Sequence, residues 1–307
     1  MFSNPLCGLG CDTPDPWIQT VNRSFHWVYT STGPLYMRTA NTMAGLHKAE
    51  PQLVWDGPGS ENGMWAPELH YWETFSTWYI YVTAHGAPNR ILVLESTTGY
   101  PGGPYRSRGY VVSDAIDPNI LHHPDGSKYL IFKSDRMTLR KLASPWKVDT
   151  TVTPVDLPLL KCPRPGNQWY EAPATLVREG TVWLMYSRCN TGPNYEVMLA
   201  SCALKDGILN ASAWKMASAR PVIVGNGGDD TGPGHSGWFA SPDGKETWVV
   251  YHGSAVGERG RSSRAMRVTF DTQGVPTFAQ PPPVGQQCLE PSGESNEEAE
   301  ERTGQEM

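Results

Sequence analysis

Five short stretches of this chain are dense in β-branched and aromatic residues and end at turn formers. They are residues 25–31 (FHWVYTS), 78–84 (WYIYVTA), 128–134 (KYLIFKS), 181–188 (TVWLMYSR) and 247–253 (TWVVYHG). Runs of this length and composition read as strands. Asp125-Gly126, Glu179-Gly180 and Asp243-Gly244 precede three of them and mark hairpin turns. A shorter motif, with a polar residue close to Pro or Gly, lies ahead of each run. These motifs are Asp15-Pro16-Trp17-Ile18, Trp65-Ala66-Pro67-Glu68-Leu69, Asp117-Pro118-Asn119-Ile120-Leu121, Glu171-Ala172-Pro173-Ala174-Thr175-Leu176 and His235-Ser236-Gly237-Trp238-Phe239.

The polar residues Asp15, Glu68, Asp117, Glu171 and His235 follow one another at steps of 49 to 64 residues. A period of about 50 residues with several short strands per unit is the signature of a propeller blade. The expected fold is all-β, a five-bladed β-propeller over residues 1–280. The innermost strand of each blade lines the common axis. One polar residue per blade, at one blade interval, therefore converges at one mouth although the five are far apart in sequence. Residues 268–270 and 276–278 read as late strands. No strong strand precedes Asn4, so the sequence leaves the closure of the ring open between side-chain packing and Cys7 or Cys11.

Charge sharpens this division. The net charge is −6, and residues 281–307 carry seven Glu and one Arg, which is −6 by itself. The body before it holds 24 acids and 24 bases. The last segment has few large apolar side chains and is expected to be an acidic, disordered tail. A neutral body has no basic footprint for nucleic acid. No stretch approaches ~20 apolar residues, so no membrane span is expected. No charged n-region or apolar h-region opens the chain, so no signal peptide is visible. Six Cys at 7, 11, 162, 189, 202 and 288 lack zinc spacing. Cys189 and Cys202 flank a predicted hairpin and form the first pair to test as a disulfide.

Three carboxylates, Asp15, Asp117 and Glu171, converge in this arrangement. They would repel unless a proton is shared or a cation intervenes. Glycoside hydrolysis uses such a set: one carboxylic acid kept protonated, one ionised carboxylate, and a third acid that raises the proton donor's pKa. Asp12, three residues before Asp15, reads as a turn or loop residue. Trp17, Trp65 and Trp169 adjoin the motifs and offer faces for stacking on a sugar ring. Glu68 reads as a residue that binds a sugar hydroxyl or braces the pore, with binding preferred. His122 and His123 lie by a hairpin turn, away from the mouth.

Asp-Pro-Trp near the start, Ile-Asp-Pro in mid-chain, Tyr-Glu-Ala-Pro, Trp-Ala-Pro-Glu and the late Gly-His-Ser-Gly together resemble glycoside hydrolase family 43, over about residues 4–280. That family consists of five-bladed propeller arabinofuranosidases, xylosidases and arabinanases that invert the anomeric centre. The resemblance implies that Asp15 is the general base, Glu171 the general acid and Asp117 the carboxylate that tunes the acid. It implies an active-site arginine, for which Arg264 is the best match, and a binding role for His235. It also implies that His235 can hold a hydrated calcium ion in the central channel as a structural metal, no cofactor being required. The expected substrate is an arabinose- or xylose-containing plant cell-wall carbohydrate, attacked by a monomer, and the expected location is outside the cell. Exo-acting arabinofuranosidases are the best match. β-Xylosidase, endo-arabinanase and a non-catalytic carbohydrate-binding propeller are the alternatives. A fructan hydrolase would open on an Asn-Asp-Pro-Asn type motif, where Pro14-Asp15-Pro16-Trp17 stands.

Overall fold

The computed structural model describes residues 1–255 and 260–294. Five antiparallel sheets follow one another along the chain, each built from consecutive strands in sequence order. Blade 1 runs Trp17–Val21, Ser24–Val28, Leu35–Ala40 and Gln52–Trp55, and blade 2 runs Met64–Trp72, Thr77–Ala84, Arg90–Ser96 and Tyr105–Ser113. Blade 3 runs Ile116–His122, Lys128–Lys133, Met137–Ser144 and Lys147–Val148, with Val155–Asp156 also paired to its third strand. Blade 4 runs Tyr170–Arg178, Thr181–Arg188, Glu196–Ala203 and Lys215–Met216, and blade 5 runs Asp230–Ala240, Thr247–Ala255, Ser262–Phe270 and Pro276–Phe278. The aromatic runs are the second strands. Each is sandwiched between neighbouring blades, which is why it lacks a polar face; every residue of Thr77–Ala84 is buried.

The core is correspondingly divided into five clusters, one at each blade interface. Leu35 with Ile80 joins blades 1 and 2, Tyr79 with Leu130 joins 2 and 3, and Leu139 with Leu184 joins 3 and 4. Leu199 with Val249 joins blades 4 and 5, and Trp27 with Val250 closes the ring between 5 and 1. No strand is exchanged between the first and last blades among the described residues. The seal is the N-terminal segment laid along blade 5. The Leu6 N–H donates to Ser263 O at 2.8 Å, the Thr13 N–H donates to Arg261 O at 2.8 Å, and Asn4 bonds both the N–H and the C=O of Ala265 at 2.9 Å. A disulfide between Cys7 and Cys11 ties this segment to itself.

Residues 281–294 depart from the expected disordered tail. Strand Gln287–Cys288 pairs with Phe2–Ser3, Glu294 Oε1 accepts the Met43 N–H at 3.0 Å, and Ser292 bonds Asp243 at 2.6 Å. These are polar and main-chain contacts, which an apolar count does not foresee. The rest of the expected tail, residues 295–307, lies outside the described residues.

The cysteine expectation is also corrected. Cys189 pairs with Cys162, while Cys202 is a buried free thiol. Cys202 lies opposite Val182, at the far end of the hairpin from Cys189. A strand of that length, at roughly 3.3 Å per residue, keeps the two apart.

Candidate active site

The inner strands of blades 2 to 5 carry the same distortion. The register slips so that two residues of the inner strand face one of the second strand, between Trp65 and Glu68, Ile116 and Asn119, Glu171 and Ala174, and Gly234 and Gly237. The first residue of each bulge is left-handed: Ala66 at φ 49°, Asp117 at 56°, Ala172 at 58° and His235 at 45°. Asp15, at φ 53°, holds the same place just ahead of the first blade. Pro follows in four blades (Pro16, Pro67, Pro118, Pro173) and Ser236 in the fifth. A bulge tolerates Pro because its second residue has no ladder bond to donate. Non-glycine residues with positive φ are uncommon and cluster at functional sites.

The N–H of each left-handed residue must find an acceptor. Ala66, Asp117 and His235 donate to Thr30, Thr83 and Ser187 of the preceding blade, at 2.8, 3.0 and 2.8 Å. Asp15 donates to His252 Nδ1 at 3.1 Å. Those acceptors occupy one position near the end of the second strand. In blade 3 that position is Lys133, which has no acceptor to offer. The Ala172 N–H turns instead to Asp117 Oδ2 at 3.0 Å. One break in a fivefold rule thereby holds the Asp117 carboxylate beside Glu171.

Asp15, Thr30, Asp117, Glu171 and His235 line a cavity of 730 Å³ at one mouth of the channel, together with Asp12, Trp65, Trp169 and Arg261. Asp15 Oδ1 meets Arg261 Nη1 at 2.7 Å and His235 Nδ1 at 3.3 Å, while Thr30 donates to Oδ2 at 2.7 Å. Burial alone would raise the Asp15 pKa, but the charges of His235 and Arg261 outweigh it and hold the carboxyl well below its usual range. Burial lowers the His235 pKa, and the charges of Asp15, Asp117 and Glu171 more than reverse this, so the net shift is upward. His252 is neutral, pushed down to about 4 by burial, and its Nδ1 lone pair takes the Asp15 N–H. Its 3.1 Å approach to Asp15 Oδ1 is therefore no ion pair.

Asp117 behaves oppositely. Burial first, then the charges of Glu171 and Asp15 against the pull of His235, push its pKa up to about 7. Glu171 accepts Tyr195 Oη–H at Oε1 (2.9 Å) and Trp169 Nε1–H at Oε2 (2.5 Å). Tyr195 reaches it because Gly234 has no side chain; a Cβ there would sit 2.0 Å from the Tyr195 ring.

Six of the sequence-derived residues thus meet in one cavity: Asp15, Asp117, Glu171, Trp65, Trp169 and His235. Trp65 stacks on His85 at 3.8 Å, and Trp169 is 39% exposed. Three residues are elsewhere. Trp17 is buried two residues beyond Asp15, against the His70 ring (centroids 5.0 Å apart), and faces a 420 Å³ cavity at the far end of the channel. Glu68 lies deeper in the channel, its Oε2 at 2.8 Å from His70 Nε2 and 3.0 Å from Asn119 Nδ2, so it braces the pore. Arg264 is fully buried inside blade 5, with Nη1 2.9 Å from Asp230 Oδ1. Among the described residues the arginine lining the mouth is Arg261, three residues earlier at the loop end of the same strand, where it meets Asp15. Asp12 is part of the mouth as well, accepting the Arg261 N–H at 2.9 Å. Tyr195, His252 and Thr30 were not foreseen. The aligned ends of the aromatic runs, Thr30, Thr83, Lys133, Ser187 and His252, were the visible signal.

The residues at His235 do not form a protein-built calcium cage. Calcium takes roughly 6–8 oxygen ligands, whereas His235 already meets Asp15 and is held toward its cationic form. No group of three or more His, Cys, Asp or Glu among the described residues converges as a metal ion requires. No helix among those residues is long and apolar enough to cross a membrane.

The model of the glycosyl hydrolases of family 43 matches residues 2–276. An extracellular exo-alpha-(1->5)-L-arabinofuranosidase of Streptomyces avermitilis is 27% identical, over 91% of this chain and 63% of its own length. The alpha-L-arabinofuranosidase 43 of Humicola insolens is 28% identical, over 88% of this chain and 62% of its own. The chain therefore spans under two thirds of these relatives. The crystal structure of an alpha-L-arabinofuranosidase from Lactobacillus brevis superposes with a TM-score of 0.83 at 24% identity, covering 93% of this chain and 98% of that one.

Proposed function

The chain belongs to glycosyl hydrolase family 43, and from that membership we propose that it releases terminal α-L-arabinofuranosyl residues from arabinan or arabinoxylan-type carbohydrate, with inversion. The observation that carries this reading is the convergence of three buried carboxyls, Asp15, Asp117 and Glu171, on one cavity, whose surroundings hold Asp15 well below its usual range and push Asp117 up to about 7. Acid and base catalysis by carboxyl groups needs that divergence.

In the proposed reaction Asp15 takes a proton from a water molecule whose oxygen attacks the anomeric carbon. The glycosidic bond breaks on the opposite face, and Glu171 gives its proton to the leaving oxygen. Asp117 lies beside that acid, its own pKa pushed up to about 7 by burial and by the charges of Glu171 and Asp15. The leaving oxygen replaces the Trp169 N–H at Glu171 Oε2. His235 and Arg261 keep Asp15 ionised, and Trp65 and Trp169 frame the sugar. Inversion requires room for the water, a separation of roughly 6.5–9.5 Å between base and acid carboxyls. Water and carboxyl groups suffice for this chemistry, and no cofactor enters it. The names of the Streptomyces and Humicola relatives support the arabinofuranoside choice. The disulfides Cys7–Cys11 and Cys162–Cys189 support action outside the cell, where disulfides persist.

A panel of p-nitrophenyl pentosides tests the reading. Release from the α-L-arabinofuranoside well above that from the β-D-xyloside is expected. The reverse order makes the protein a xylosidase, and no release from any pentoside makes it a binding propeller.

A further inference from the structure

A second cavity, 680 Å³, opens between blades 3 and 4 and shares Asn89, Ile116, Trp169 and Asn190 with the catalytic cavity. We propose that this cleft is the subsite for the leaving-group chain of a neutral oligosaccharide. The inference rests on the reaction proposed above and adds where the rest of the substrate lies.

The argument begins with direction. In an inverting displacement, water arrives on the base side and the leaving group departs on the acid side. The base side is the edge formed by blades 5 and 1, where Asp15 meets Arg261. The acid side is marked by Trp169, which touches Glu171 and is also a wall of the second cleft. A chain attached to the leaving oxygen is thereby led out of the catalytic cavity into this cleft.

Its lining fits an uncharged, hydroxyl-rich ligand. Lys133 and Lys161 are offset by Asp114 and Asp135, and Gln168 adds amide donors and an acceptor. The wall is also fixed in place. Cys162–Cys189 clips the 161–169 loop to the end of the second strand of blade 4, and Asn167 bonds Cys189 O (2.7 Å) and the Trp169 N–H (3.0 Å). On the other side the Lys133 ammonium lies over the Trp169 ring, 4.4 Å from its centroid. A preformed wall loses little freedom when a ligand binds.

The test compares substrates that differ only in their leaving group. Asp135→Trp fills the cleft and Lys161→Ala removes a donor, and neither residue lines the catalytic cavity. The wild type should gain in kcat/KM from the α-1,5-linked arabino-disaccharide to the pentasaccharide. Both variants should lose about tenfold on the pentasaccharide, a 1.4 kcal/mol effect, with p-nitrophenyl α-L-arabinofuranoside and the disaccharide within about twofold. Equal losses on all substrates, or an unchanged pentasaccharide rate in both variants, overturns the subsite while the proposed activity stands. A wild type inactive on every arabinoside overturns both.

Discussion

Two layers of the same channel each contain a buried carboxyl in contact with a histidine, and they settle into opposite charge states. At the mouth, Asp15 meets His235 at 3.3 Å; the acid is driven down and the histidine up, so the pair is ionic. Deeper in, Glu68 meets His70 at 2.8 Å, closer than the first pair. Burial there raises the Glu68 pKa well above its usual value and lowers that of His70 well below, so the pair is neutral. Proximity therefore does not decide ionisation. Arg261 stabilises the carboxylate at the mouth, and three acids surround His235. His70 instead faces His122 and Lys128, which disfavour a further positive charge. The desolvation cost is common to both layers, and only the mouth has enough opposing charge to offset it.

The largest effect should come from removing the charge that the mouth is built to hold. Asp15→Asn and Glu171→Gln should each lower kcat by about 10²–10⁴-fold or more, with the circular dichroism spectrum and thermal midpoint close to wild type. Glu68→Gln, the matching change in the deeper layer, should keep activity within a few-fold. A large loss in that variant would make the two layers equivalent and break the comparison.

A buried ion pair in the blade should act on stability instead. Arg264 and Asp230 are both fully buried, and they meet by charge more than by aligned hydrogen bonds. Burial raises the Asp230 pKa to about 6 even against Arg264. Arg264→Met leaves that acid alone and should cost about 3–5 kcal/mol in urea unfolding. Arg261→Met should cost far less stability. It should move the acid limb of the kcat/KM–pH profile upward, because Asp15 loses a cation that favours its ionised form.

The smallest effect is a shift in pH dependence. Burial and the charges of Glu171 and Asp15 push the Asp117 pKa up to about 7, so this carboxyl loses its proton as pH rises through that value, and kcat/KM should fall above it. Asp117→Asn removes the carboxyl whose loss of a proton sets that limb. The limb near pH 7 should then be lost, while a limb that stays in place would show that Asp117 does not set it.

The blade repeat and the convergence of Asp15, Asp117, Glu171 and His235 were legible because a propeller turns sequence period into position on one axis. The departures from that period lie within single motifs. The sequence period alone makes Glu68 the phase mate of Asp15, whereas the bulge makes Ala66 the equivalent residue and carries Glu68 two residues deeper. Trp17 moves away from the mouth by the same two-residue step. Arg264 and Arg261 lie on one strand end, and their different fates depend on where the strand stops facing the core, which apolar pattern alone does not mark. The ordered segment 281–294 is held largely by backbone pairing and carboxylate contacts, and its sequence carries no apolar trace of that.

The central claim is that Asp15 and Glu171 act from opposite faces of the sugar. Proton NMR of the first-formed sugar during hydrolysis of p-nitrophenyl α-L-arabinofuranoside tests it most directly. The account predicts β-L-arabinofuranose as the initial product, with the α anomer growing in only by mutarotation. Initial release of the α anomer would contradict it.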